Sequence, residues 1–104
     1  ADLGKDTGDD FREGKITLPV VIAWRRGTAE DRTFWREAIE GGNSDDANLE
    51  HAFGLITRYG GLADTIARAQ HYGMIARDAL APLPASPWKS ALLEVIDFSI
   101  ARVS

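Results

Sequence analysis

Apolar positions along this chain fall into helical periods, separated by glycine and proline breaks. The densest run is Leu18 to Trp24, where Val20, Val21, Ile22, Ala23 and Trp24 follow one another with no polar residue between them. Pro19 stands where a helix begins, because the N–H it lacks is one the first turn leaves unbonded anyway. The reading is a short helix over Leu18–Arg26, stopped by Gly27. A helix that is apolar all round is normally buried on all sides. A small bundle can hardly surround one, so this run points to a larger core. Valine and isoleucine also favour strands, and a buried β-strand stays open for the same residues. Nothing else in the chain reads as its partner.

Four more helices follow from spacing and caps. Thr28 is a good N-cap with Asp31 three residues on, which predicts a helix over about Ala29–Glu40 with Phe34, Trp35, Ala38 and Ile39 on its apolar side. Gly41-Gly42-Asn43 breaks it. Ser44 or Asp45 caps the next, about Asp46–Tyr59, with Leu49, Ala52, Phe53 and Ile56 on one face. After a Gly60-Gly61 turn, Leu62–Leu80 is the longest helix; its stripe Ile66, Ala69, Gly73, Ala76, Leu80 is small enough for another helix to come close. Pro82 and Pro84 extend the chain, and Ser86-Pro87 starts a last helix to about Arg102. There Trp88, Leu92, Val95, Ile96 and Ser99 face one way, and Ser90, Glu94 and Asp97 the other. The expected fold is all-α, with five helices over 18–104 preceded by an irregular loop over 1–17.

That opening loop holds the candidate chemistry. Ala1 to Pro19 contains Gly4, Gly8 and Gly14, Lys5 and Lys15, and Asp2, Asp6, Asp9 and Asp10. Glycine lets backbone approach a ligand, lysine suits phosphate oxygens, and carboxylates suit hard cations such as magnesium. Together they fit a magnesium-bound polyphosphate. They equally fit a solvated glycine-rich loop that caps the following helix, and residue chemistry alone favours that plainer reading. A Walker loop fails, because Gly8 to Gly14 is one residue too long and Ile16 follows the lysine. A calcium hand begun at Asp6 fails at Gly8 and Phe11.

Composition narrows the classes. The chain has 104 residues, enough for one domain at most. Its formal net charge of −4, with arginines scattered rather than clustered, argues against a general nucleic-acid role. It has no cysteine, so disulfides and thiolate metal sites are excluded, in keeping with the cytoplasm. No apolar run approaches a membrane span and no signal peptide is visible. The only methionine is Met74, and a start on Ala1 inside a ligand loop leads us to expect missing upstream residues. His51 and His71 have no ligand-spaced partner, and Asp45-Asp46 reads as a helix start. Trp24, Trp35 and Trp88 read as packing residues and Arg25-Arg26 as a solvated helix end.

What remains of the opening stretch is G-K-x-x-G-x-D-x-x-x-G-K-x-T-L-P: Gly4, Lys5, Gly8, Asp10, Gly14, Lys15, Thr17, Leu18 and Pro19. This pattern resembles the trans-prenyltransferases, or isoprenyl diphosphate synthases, where it lies just after the second aspartate-rich motif, DDxxD. Arg26-Gly27-Thr28, Ala38-Ile39-Glu40, Gly42-Asn43, Tyr59-Gly60-Gly61-Leu62 and Leu83-Pro84-Ala85-Ser86-Pro87-Trp88 look like the long-chain branch, which makes octaprenyl and decaprenyl quinone tails. The likeness covers essentially the whole chain. It implies a bundle of antiparallel helices, usually a homodimer, that condenses isopentenyl diphosphate with an allylic diphosphate using Mg2+. It assigns Lys5 and Lys15 to the allylic diphosphate, and Asp10 to a place near magnesium, acting through water. Arg102 matches a basic position common in the family's tails, and Asp9 has no counterpart.

The departure is large. Asp9-Asp10 and Asp45-Asp46 are the only adjacent aspartate pairs, and Glu13 and Leu49 stand where a third aspartate belongs. Both DDxxD motifs are therefore missing, so no catalytic residue or direct metal ligand is expected here. The resemblance implies roughly the last third of such an enzyme, inactive without the rest of its parent chain. Two alternatives stay open: a non-catalytic subunit of a heteromeric prenyl synthase, and a helical interaction module.

Overall fold

The computed structural model describes residues 3–43 and 45–103, which places Ala1, Asp2, Ser44 and Ser104 outside the described residues. Six helices run through them: α1 (Leu3–Arg12), α2 (Leu18–Arg26), α3 (Ala29–Glu40), α4 (Asp46–Arg58), α5 (Gly61–Leu80) and α6 (Pro87–Val103). The all-α class holds, but the expected five helices are corrected to six, because part of the expected opening loop is α1. Glycine costs about 1 kcal/mol against alanine inside a helix, so Gly4 and Gly8 argue locally against one. Packing overrides that cost. Thr7, Gly8 and Phe11 share a face and are buried, while Lys5, Asp6 and Asp9 point to solvent. At Gly8 the backbone of α1 lies so near α4 that a Cβ would sit 2.9 Å from the Phe53 ring. Phe11 meets Trp35 edge-on, with ring centroids 6.0 Å apart.

The other elements start and stop as their caps dictate. The reciprocal bonds of a capping box form at α3: the Asp31 N–H donates to Thr28 Oγ1 at 3.1 Å and the Thr28 N–H to Asp31 Oδ2 at 3.0 Å. Asp45 caps α4 by accepting from the Asn48 N–H at 2.8 Å. Ser86 Oγ accepts from the Lys89 N–H at 3.1 Å at the head of α6. The apolar run forms α2 with Pro19 in its first turn, so the strand alternative falls away.

The core joins Phe11, Val20, Ala23, Trp35, Ala38, Ala52, Leu55 and Ile56, with Trp24, Phe34, Leu49, Tyr59 and Leu62 packed around them. It is built from α1 to α4 and the first turns of α5. Beyond it, α5 and α6 continue as a projecting hairpin. The radius of gyration is 17.1 Å, against about 13 Å for a compact chain of this size. As expected, small residues let α6 approach α5: Ile100 covers Gly73 so closely that a Cβ there would run into its Cδ1. Lys89 Nζ donates to the Leu83 carbonyl at 2.8 Å, and Arg77 pairs with Asp97.

The expected face of α6 is corrected. Lys89, Leu93, Ile96, Ile100 and Val103 are its partly buried positions, while Trp88, Leu92 and Val95 are exposed. Trp88, expected to pack, is 80% exposed. The reason is Gly73, whose notch admits Ile96 and Ile100 and thereby rotates the neighbouring stripe to solvent.

Two residues tie the core elements together. Arg26, expected as a solvated helix end, donates to the Tyr59 carbonyl at 2.8 Å and pairs with Asp64. The Tyr59 hydroxyl donates to Asp31 Oδ2 at 2.5 Å, linking α4 to the α3 cap. That hydroxyl, then the Thr28 N–H, holds the Asp31 carboxyl below its ordinary range, and Asp31 in turn pushes the Tyr59 phenol up. The lowered carboxyl contributes stability above its unfolded pKa and loses it as pH falls through the folded value. The raised phenol contributes below its unfolded pKa and loses it as pH rises through the folded one. Urea midpoints across pH should therefore show that Asp31→Asn flattens the acid limb and Tyr59→Phe the alkaline limb. Unchanged limbs in both variants would count against this link.

Candidate functional site

The end of α1 builds the candidate site. Gly14 takes the left-handed conformation, at φ 75°. Its N–H donates to the Phe11 carbonyl at 3.0 Å, and the Lys15 N–H reaches back to the Asp10 carbonyl at 2.8 Å. This pair of bonds is a Schellman motif, which satisfies the last carbonyls of a helix and requires a residue at ease with positive φ. One consequence is chemical. The turn carries Lys15 back beside Asp10, with Nζ 4.0 Å from Oδ1. The lysine side chain remains 66% exposed and that of Asp10 27%. The ammonium group, accessible to solvent, can meet an anion on its open side.

Lys5 is also exposed, but the structure does not bring it to Lys15. The two flank opposite ends of α1, and the seven residues from Lys5 to Arg12 alone span about 10 Å of helix axis. Arg12 pairs with Asp46 at 3.0 Å, which fastens the end of α1 to the start of α4.

Magnesium does not fit these residues as a self-contained site. Among the described residues, no three histidine, cysteine, aspartate or glutamate side chains converge as metal ligands. The observed partner of the Asp10 carboxylate is Lys15, so no chemical step is derived through a metal here.

A second feature escaped the sequence reading. Between α2 and α3 lies an apolar cavity of about 290 Å3, walled by Ile16, Val20, Val21, Trp24, Trp35 and Ile39, with Arg36 and Glu40 also lining it. Trp35 is 1% exposed and its indole N–H is buried with no acceptor among the described residues. Arg32 and Arg36 lie over the Trp24 ring at 5.7 and 5.6 Å. The sequence signal was Trp24, Trp35 and Ile39, which the sequence alone assigned to packing.

Among the described residues, no helix is long and apolar enough to cross a membrane.

Comparison with known proteins places this architecture. The octaprenyl diphosphate synthase of Haemophilus influenzae is 38% identical over 96% of this chain and 30% of its own length. That of Escherichia coli is 39% identical over 96% of this chain and 31% of its own. In three dimensions the fold is similar to a decaprenyl diphosphate synthase from Rhodobacter capsulatus, with a TM-score of 0.84 at 41% identity, over 98% of this chain and 33% of that one. A polyprenyl synthase from Roseobacter denitrificans gives 0.82 at 41% identity, over 95% and 33%. The chain thus spans about 30% of the length of the curated relatives it matches. The polyprenyl synthetase profile covers residues 1–56, more than half of the chain, including the whole of α1, the Gly14-Lys15 turn and α2. On that match and the shared fold, the chain belongs to the polyprenyl synthetase family.

Proposed function

We propose that this chain is the C-terminal part of a long-chain trans-polyprenyl diphosphate synthase. The parent enzyme condenses isopentenyl diphosphate with an allylic diphosphate to build the prenyl tails of quinones, ubiquinone among them. It works in the cytoplasm as a homodimer and uses Mg2+, held mainly by aspartate-rich motifs outside these residues. Residues 1–17 face the diphosphate, and the 104-residue chain alone is inactive. The observation that carries this reading is the Gly14-Lys15 turn, which presents an accessible ammonium group at the end of α1. The likeness to octaprenyl diphosphate synthases supports the long-chain assignment.

In this reading Lys15, and separately Lys5, bind oxygens of the allylic diphosphate. When the allylic carbon–oxygen bond breaks, negative charge builds on the departing diphosphate, and a fixed cation beside it lowers the barrier. The resemblance gives Asp10 a water-mediated place near magnesium; in the structure its carboxylate lies beside the Lys15 ammonium group.

The test is Lys15→Ala in the full-length enzyme. Loss of a charge-assisted contact costs on the order of 1.5–3 kcal/mol, so allylic substrate affinity or ionisation should fall about 10- to 150-fold. Lys5→Ala should behave similarly. Unchanged kinetics with allylic diphosphate across a range of magnesium concentrations would remove both lysines from the site.

A further inference from the structure

We propose that Asp10 is a positioning residue that attenuates Lys15: it holds the lysine's charge in check and thereby loosens the grip on diphosphate. This inference rests on the reading of Lys15 as a diphosphate ligand. The observation beneath it is the turn itself. The 2.8 Å bond from the Lys15 N–H to the Asp10 carbonyl fixes the two backbones together, so their side chains leave from the same place. The carboxylate then lies 4.0 Å from the ammonium group.

Burial separates the roles of the two groups. Asp10 is the more sheltered partner, while Lys15 keeps an open side toward solvent. An anion arriving on that side meets an ammonium group drawn back toward the carboxylate behind it, so Asp10 acts on the anion through Lys15. The attraction lost in this way scales with the charge of the anion, so a diphosphate feels the reduction more than a phosphate does. The device has a use in a reaction that releases diphosphate as a product. A bare lysine would retain that product, and a partly neutralised one lets it go.

The turn predicts a gain of binding from removing a carboxylate, which a purely structural Asp10 does not. The experiment measures binding of inorganic diphosphate and of inorganic phosphate to the full-length enzyme by calorimetry, without magnesium and at low salt, where screening is weak. Asp10→Asn keeps the shape of the side chain and leaves the capping carbonyl in place. It should tighten diphosphate binding by about three- to tenfold, tighten phosphate binding less, and lose the gain as salt is raised. In a Lys15→Ala background the same substitution should have little effect. Unchanged or weaker diphosphate binding by Asp10→Asn overturns the proposal. So does an equal gain with and without Lys15, which would make Asp10 repel the anion directly. Failure of the unmutated enzyme to bind diphosphate at all overturns the reading of Lys15 first, and this inference with it. A measurement free of mutation completes the test: adding diphosphate to the unmutated enzyme should shift the Asp10 carboxyl carbon resonance as Lys15 turns from it, and a silent Asp10 overturns the pairing.

Discussion

Purified on its own, the 104-residue chain will self-associate or bind a hydrophobic dye instead of behaving as a compact, dye-free monomer. The apolar surface that drives this lies chiefly on the hairpin. α6 buries no residue, and Trp88, Phe98, Tyr72 and Val95 are each 60% exposed or more. On α2, Val20, Ile22 and Ala23 are buried, but Leu18 and Val21 stay open. Contiguous apolar patches beyond a few hundred Å2 are rare on monomeric proteins and mark interaction surfaces. Apolar area is worth about 25 cal/mol per Å2, so leaving several large side chains wet forgoes several kcal/mol. That is a large share of the roughly 5–15 kcal/mol by which a domain is stable. Sedimentation, dye binding and thermal unfolding of the chain decide the matter. A monomer with a sharp two-state transition and no dye binding would defeat the argument that it is part of a larger bundle, and would favour a self-contained module.

The second large effect is a pair of glycine substitutions with opposite signs. Gly61 opens α5 against the first turn of α2, where an added Cβ would lie 2.6 Å from the Pro19 carbonyl oxygen and 3.1 Å from Ile56. The nearer obstacle is backbone and cannot swing aside. Gly61→Ala should therefore destabilise the fold by about 1–3 kcal/mol, the usual cost of overpacking. Gly54, in the middle of α4, has nothing within 4 Å of the same added atom. There the substitution removes glycine's helix penalty alone and should stabilise by about 0.5–1 kcal/mol. Denaturant midpoints measure both, and at this chain length each kcal/mol moves Tm by about 4–8 °C. Equal effects at the two sites would show that the α2–α5 contact is not as close as described.

Five of the helices were legible because their signals are local. A capping side chain acts on an N–H two or three residues away, as at Thr28, Asp45 and Ser86, and Pro19 and Pro87 mark first turns by their own geometry. Two corrections came from neighbours far along the chain. Gly4 and Gly8 look like loop residues until Phe53 and Trp35, some 30 to 45 residues on, are seen to hold α1 in place. The face of α6 likewise depends on a notch in α5 that no window over α6 contains.

For the candidate site the division is similar. The types and spacing of Lys5, Asp10, Gly14 and Lys15 carried the resemblance, and the sequence by itself determined the all-α class, the family and five of the helices, each limit to within one residue. Tertiary structure alone decided that the opening stretch is helical, and hence that Gly14 ends a helix and folds Lys15 onto Asp10. It also decided that Lys5 lies at the other end of α1 from Lys15, and that the Trp35 N–H is buried without an acceptor among the described residues. The physical reason is the range of the forces involved. Caps and turns act within one helical turn and are written in adjacent residues, whereas a helix weakened by glycine forms only when contacts from distant segments outweigh its own reluctance.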